Sequence, residues 1–491
     1  MLLAATAVIP SCSRRSAPAP TREAFLTFDN LTGDPSLDWI AQTAPRILAH
    51  DLTGVPKIVP LLAATVRDAY LEHAARLVHG YYEMRDGKLH FEIDVEDASA
   101  HRTIQFAAEN GSVRGALDTA ARSFNPAAQA FPASDDVLAA WGHGDFEHAA
   151  SLDPNFALAW ISWTQQAATA GDTARARDLT DRALAQPNLD SRIDRAQLEM
   201  MSARLRQNDS ARIEASRTLA GLIPYDPTVW ASLAQEEMRA RRFADAARDY
   251  QALSQADSSD SSAVNLMGYA RALAGDLDGA HFAFEQYGRA PGQAVNSIDS
   301  WGEALFIAGK FDQAEHQFED AYKREPGFIQ GETLWKAAHA RWLAGDLPEA
   351  DKILDRYLQD RAKARDPLVT WRRANWLYET DRRDQARELL MRVPLNTNSQ
   401  AAAAMNAQLR LWADFHPPTD LAKLEQGYRE SDPVNDGLAR VMYANALLQA
   451  GRKSEARELL QLWPLPAGDD SLLQSLLYPM YLELRKEVNL V

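Results

Sequence analysis

A single cysteine, Cys12, stands in a chain of 491 residues, which excludes intrachain disulfides and metal sites of the CxxC kind. No apolar stretch approaches the roughly 20 residues needed to cross a bilayer, so the body of the chain is expected to be soluble. Positive charge is short as well: 52 Lys and Arg face 68 Asp and Glu, for a net charge of −16 and a pI near 5.2. Such a surface repels phosphate backbones, and no basic stripe interleaved with aromatics interrupts it, so nucleic acid is not an expected partner. The arginine clusters MRARRF, TWRRANW and TDRRDQ have acidic neighbours that offset them, and they read as solvated helix ends.

Catalytic signatures are missing too. The 11 histidines are scattered, and His143 and His148, five apart, do not align on one helix face. There is no HExxH, no phosphate-binding Walker loop, no GxSxG elbow and no dinucleotide-binding glycine fingerprint; Gly142 and Gly144 only punctuate a turn. Glu92, Asp94 and Glu96 alternate with Phe91, Ile93 and Val95, which makes them the wet face of a strand rather than an acid/base pair. Asp29, Asp34 and Asp38 flank a loop at a strand's carboxyl end, a place where α/β sheets bind ligands, and this is a hint of position alone. No catalytic residue, cofactor or metal site is expected, and the chain does not read as an enzyme.

What the chain does have is a period of about 34 residues. The clearest copy runs from Ile298 to Pro326: Trp301, Gly302 and Leu305 lie on one helix, and after the break AGKFDQ come Ala314, Phe318, Ala321 and Pro326 on a second. The small residue of the second helix recurs as Ala176, Ala215, Ala246, Ala280, Ala314, Ala350, Ala386 and Ala456. The last interval is twice the others, leaving room for a degenerate unit around Leu409 to Tyr428. The turns between helices repeat in phase, as AGDTARA, RRFADA, AGDLDGA, AGKFDQA, AGDLPEA, DRRDQA and AGRKSEA. In each, a Gly or basic residue ends the first helix and an acidic residue or Ser opens the second. Proline closes units at Pro187, Pro224, Pro326, Pro394 and Pro464, where a helix must stop. From about Asp135 to about Trp463 the chain resembles the tetratricopeptide-repeat family. The resemblance implies helical hairpins stacked into a superhelical solenoid, with function on its concave inner face. Most of the Ala, Leu, Phe and Trp in the pattern are then packing residues.

Ahead of the repeats the texture changes. Glu23 to Asn30 reads as a strand, the stretch after Asp34-Pro35-Ser36 as a helix, and Arg76–Met84 and Lys88–Ala98 as a hairpin around RDGK. Arg102–Ala108 adds a strand and Val113–Phe124 a closing helix, giving an α/β domain of about 100 residues, long enough for its own core. FLTFDNLTGDPSLDW, followed later by RLVHGYYEMRDGKLHFEIDVEDASAHRTI, resembles the TolB amino-terminal-like domain of bacterial proteins. Phe28, Asn30, Gly33, Asp34, Asp38, Trp39 and Gly80 carry that resemblance, together with LDPNFALAW (Leu152 to Trp160) opening the repeats; Thr27 departs from it, where the family usually has Pro. In many relatives a kinase, cyclase or winged-helix segment comes first. With 21 residues ahead of the domain, no such output module is expected here.

Those first residues place the apolar run Leu2–Ile9 before Pro10, Ser11, Cys12 and the Pro-rich stretch SRRSAPAPT. Val8 to Cys12 resembles a bacterial lipobox, which implies lipidation of Cys12 and a place at the cell envelope, facing the periplasm. No Lys or Arg precedes the apolar run, and the run is shorter than a secretory signal requires, so a cytoplasmic chain is the alternative.

The expected fold is mainly α: a tetratricopeptide helical-hairpin solenoid preceded by a small α/β domain. The expected segments are a signal or linker at 1–21, the TolB-like domain at 22–125, the repeats at 130–465 and a capping helix at 466–491. If positions 2, 5, 6, 9, 12 and 13 of each unit face inward, as the family resemblance implies, one unit offers Trp335, Lys336, His339 and Trp342. The next offers Trp371, Arg372, Asn375 and Tyr378, and a later one Asn445. Rings supply contact area while Asn and Arg bond a peptide's backbone or carboxylates, so a peptide groove is expected. The family's carboxylate clamp is a Lys-Asn-Asn-Lys/Arg set; Lys336, Arg372, Asn375 and Asn445 match it in part and in another order, so specificity for a C-terminal carboxylate is not expected. Function is expected to be that of a non-catalytic protein-binding scaffold, the alternative being a cytoplasmic sensory or regulatory module.

Overall fold

The computed structural model describes residues 20–97, 100–189, 191–392, 421–430, 437–461 and 484–490. The chain divides into two compact units, one built from residues up to Glu236 with Ala252–Asp260, the other from Glu237–Gln251 and the residues from Ser261 onward.

The first unit opens with a mixed sheet of β1 (Thr21–Phe25), β2 (Asp29–Asn30), β3 (Ile58–Leu62), β4 (Arg76–Arg85), β5 (Lys88–Asp97) and β6 (Arg102–Asn110). Its order is β3-β1-β4-β5-β6, with β2 pairing β4 just beyond β1. The expected single strand from Glu23 to Asn30 is therefore two, because the Phe28 N–H leaves the sheet to donate to the Ala41 carbonyl. Period-two patterning sends Phe25, Val78, Tyr82, Phe91, Ile93 and Val95 to one face, where they are buried beneath α1 (Trp39–Leu52) and α3 (Val113–Phe124). On the other face Ala69 of α2 (Val66–Leu71) covers Ala24 and Leu77, while Glu92, Asp94 and Glu96 stay wet or half-buried. Gly80 has a steric cause: a Cβ there would lie 2.2 Å from the Glu92 carbonyl oxygen across the β4–β5 ladder.

Helical hairpins follow: α4 (Asp135–Gly142) with α5 (Phe146–Leu152), α6 (Ala157–Thr169) with α7 (Thr173–Leu184), and α8 (Arg192–Leu205) with α9 (Asp209–Leu222). Next come α10 (Pro227–Arg239) and α11 (Phe243–Ala256), through which the boundary between the units runs. The second unit continues with α12 (Ser262–Leu273) against α13 (Leu277–Tyr287), α14 (Ala294–Ile307) against α15 (Phe311–Arg324), α16 (Glu332–Leu343) against α17 (Leu347–Lys363) and α18 (Val369–Glu379) against α19 (Arg383–Met391). It ends, among the described residues, with α20 (Leu421–Glu430), α21 (Gly437–Gln449) packed on α22 (Lys453–Gln461), and a helical turn at 484–487.

The hairpins have a local cause. Asp145, Asp172, Asn208, Asp276 and Asp346 each accept a backbone N–H three residues on and so open a second helix, meeting the orphan donors of its first turn. The periodic alanines all lie on second helices and are buried, Ala176, Ala246, Ala280, Ala314, Ala350, Ala386 and Ala456 completely. Opposite them a Cβ on Gly268 would stand 2.5 Å from the Phe284 ring, and one on Gly302 2.6 Å from that of Phe318. Small residues thus let two helices touch while the rings fill the groove beside them.

Candidate partner-binding face

In the second unit the residue after each such glycine, or its equivalent, sets up a ladder between first helices. Tyr269 (α12), Glu303 (α14), His339 (α16) and Asn375 (α18) occupy the same turn of successive hairpins, and all four are buried. The Tyr269 hydroxyl donates to the Glu303 carboxylate. Lys336 Nζ donates to Asp299 at 2.7 Å and to Glu303 at 2.5 Å, with the Phe318 ring 5.8 Å below it. Burial pulls the Lys336 ammonium down, but Glu303 and Asp299 outweigh it and hold it above the ordinary lysine value. Burial, with Glu303 beside it, pushes the Tyr269 phenol well up. One rung on, His339 Nε2 lies 2.9 Å from Glu379 Oε2, and Nδ1 donates to the Trp335 carbonyl at 2.9 Å. Trp335, Trp376 and Trp342 surround that imidazole with ring centroids at 4.8, 5.1 and 6.3 Å.

The sequence-named residues fall into three groups. Trp335, Lys336, His339, Trp371 and Asn375 are buried within the helix packing. Trp342, Arg372 and Asn445 are half-buried and reach the surface. The side chain of Tyr378, and Cys12 altogether, lie outside the described residues. The cations named as groove residues are engaged inside the chain: Lys336 as above, and Arg372 with Asp366 at 3.3 Å and Glu332 at 3.5 Å while stacked on Tyr357. Asn375 Nδ2 and Glu379 Oε1, one helical turn apart, are buried without a hydrogen-bond partner among the described residues.

Sequence reasoning missed Asp299, Glu303, Tyr269, Glu379 and Trp376. A signal was there: residues 269, 303, 339 and 375 repeat with the period, and polar residues in phase at one position of a repeat share an environment. Among the described residues no group of three or more His, Cys, Asp or Glu is placed to hold a metal ion, and no helix is long and apolar enough to cross a membrane.

Comparison with known proteins adds one firm element. Residues 421–477 match the tetratricopeptide-repeat model. The described part of that tetratricopeptide segment comprises α20, α21 and α22. No curated protein matches the chain. Among solved structures, the MamA protein is 18% identical over 36% of this chain and 96% of its own, with a TM-score of 0.29. Yeast Tom70 is 13% identical over 72% of this chain and 87% of its own, with a TM-score of 0.35. A structure of Naa15/Naa10 bound to HypK-THB is 13% identical over 72% of this chain and 59% of its own, with a TM-score of 0.32. Likenesses at such TM-scores carry no functional argument. In the hairpins before that segment, the buried alanines recur on second helices, and in two of them a glycine faces a ring across the helix contact.

Proposed function

We propose that the chain is a non-catalytic scaffold that binds a protein partner through the first-helix face of its hairpins. The observation that carries this reading is the half-exposed set Trp342, Arg372 and Asn445 on α16, α18 and α21, each the first helix of a hairpin. An indole and a guanidinium on a preorganised surface are the residues that most often dominate protein recognition. Because Lys336 and Arg372 already have carboxylate partners, a C-terminal carboxylate of the partner is not the recognised group.

The test is quantitative pull-down with the wild type and with Trp342→Ala/Arg372→Ala, whose folding is checked by circular dichroism. Loss of partner capture with the fold retained supports this face; recovery of the same partners by the folded double variant removes it. The place of action is proposed on the Val8–Cys12 string alone: a lipid anchor on Cys12 at the bacterial envelope. Membrane partition that Cys12→Ser abolishes supports it. Equal solubility of the two proteins turns the reading towards a cytoplasmic regulatory module.

A further inference from the structure

The two edges of the sheet are not alike. On one side β3 is five residues long and has Pro60 at its centre, opposite Glu23 of β1. A residue with no N–H in the middle of a short edge discourages another strand from pairing there. On the other side β6 is nine residues long, RTIQFAAEN, without Pro or Gly, and its register with β5 runs unbroken from Leu89↔Asn110 to Asp97↔Arg102. Among the described residues no strand pairs with its outer side. Arg102, Thr103, Gln105, Ala107, Glu109 and Asn110 are exposed along it. Ile104 and Phe106 are only half-buried, with the Phe106 ring 5.6 Å from that of Phe124 on α3, so the apolar layer under the sheet ends here uncovered. A long, regular, unblunted edge is a template for a further strand.

We propose that this strand is a second copy of the chain's own β6, paired antiparallel about a twofold axis through Phe106. The sequence of the strand is self-complementary in that register. Ile104 meets the partner's Ala108, Phe106 meets its own copy, and the apolar layer closes. On the wet face Thr103 meets the partner's Glu109, and Gln105 meets the partner's Ala107, so no like charges are opposed. The two charged residues, Arg102 and Glu109, lie at opposite ends of the strand and on opposite faces of the sheet, so pairing about this axis opposes neither to a like charge. The carboxylates Glu92, Asp94 and Glu96 lie one strand back on β5, away from the axis. A slip of one residue would set the Ile104 and Phe106 face against the Gln105 and Ala107 face, which excludes every odd slip, and of the even registers the one centred on Phe106 pairs the most residues of the strand. An interface of this kind is isologous and closes at two copies.

The test uses the full chain in a Cys12→Ser background. Sedimentation across the micromolar range is expected to show a dimer, and Phe106→Lys, which places two ammonium groups at the axis, is expected to make it monomeric. Independently, mixing chains bearing Gln105→Cys with chains bearing Ala107→Cys is expected to give an intermolecular disulfide on mild oxidation, while Leu62→Cys on the β3 edge gives none. The disulfide experiment decides even if Phe106→Lys fails to fold. A wild type that stays monomeric overturns the proposal, and so does a dimer that forms no 105–107 crosslink. Capture of an extended peptide by a monomeric chain would make β6 a docking edge for another protein and would likewise overturn the twofold.

Discussion

At the scale of single residues, Lys336 carries the largest stake in the second unit. Its ammonium is almost fully buried between Asp299 and Glu303, which are themselves nearly buried. A buried pair contributes little net stability compared with apolar residues of the same shape, but removing one partner strands the other charges. Lys336→Met is therefore expected to cost about 3–5 kcal/mol. Adding Asp299→Asn and Glu303→Gln to it should restore much of the loss. Denaturant unfolding of the single and triple variants checks this, and equal stability of the two would mean that Lys336 contributes by packing alone.

In the first unit two groups make stability depend on pH. Burial pushes the Glu23 carboxyl up from 4.5 to about 7 against the opposing pull of Arg76, 3.1 Å away. Burial pulls His50 down, but the carboxylates of Asp194, bonded at 2.9 Å, and of neighbouring Asp51 outweigh this and push it up from 6.5 to about 9. Both folded values lie above the unfolded ones, so folding favours the protonated form of each. The Glu23 contribution is complete below about pH 4.5 and is lost as pH rises through about 7; that of His50 is complete below about 6.5 and is lost through about 9. Each shift corresponds to about 3 kcal/mol at most. The unfolding midpoint of the first unit is expected to fall steadily from pH 5 to pH 9, and Glu23→Gln should flatten the part below 7. A midpoint that rises over this range would show that neither group is protonated in the folded unit.

At the scale of elements, the turns between paired helices need a left-handed residue. Gly171, Gly275, Gly309, Gly345 and Gly451 provide it, whereas Gln207 and Arg241 adopt φ of 53° and 60° with side chains attached. A left-handed non-glycine residue costs roughly 1–2 kcal/mol, and the extra freedom of glycine in the unfolded chain takes back about 0.5–1. Gln207→Gly and Arg241→Gly should each raise the melting temperature by about 1–3 °C. A fall would show that these exposed side chains hold their turns by contacts. The same turns explain why so much of the solenoid was legible. Alanine, glycine and cap residues recur because the geometry of helix contact admits little else, and each recurrence is an independent vote for one register. The strand β3 went unread because Pro56 and Pro60 interrupt the alternation that marks a strand, an interruption that an edge position tolerates, and α2, six residues long, is too short to show a helical period. The buried ladder went unread for a different reason. Lys336 and its acids are more than 30 residues apart, and a charge on an amphipathic helix is by default assigned to water.

At the scale of the molecule, the α/β segment does not stop where its sequence texture does. Its core runs without a break from Phe25 and Phe91 through Phe131, Trp141, Phe156 and Trp160 to Leu198, so the first hairpins complete it. Polar contacts cross the same seam. Arg46 lies 4.5 Å over the Trp141 ring, the Asp51 carbonyl accepts from the Gln129 N–H at 2.8 Å, and Asp135 accepts the Val113 and Arg114 N–H groups that open α3. His50 on α1 meets Asp194 on α8. Cutting after residue 125 would expose the faces under Phe131, Val137, Leu138, Trp141 and Phe156, each worth about 1.5–3 kcal/mol of burial. The sum is comparable with the whole stability of a small domain, about 5–15 kcal/mol. A fragment of residues 20–125 is accordingly expected to show no cooperative unfolding transition, whereas residues 20–260, which span the first unit, should melt cooperatively. Cooperative unfolding of the shorter fragment at the midpoint of the longer one would show that the sheet and its two helices hold a self-sufficient core, and that the seam to α4–α8 contributes docking but no folding energy.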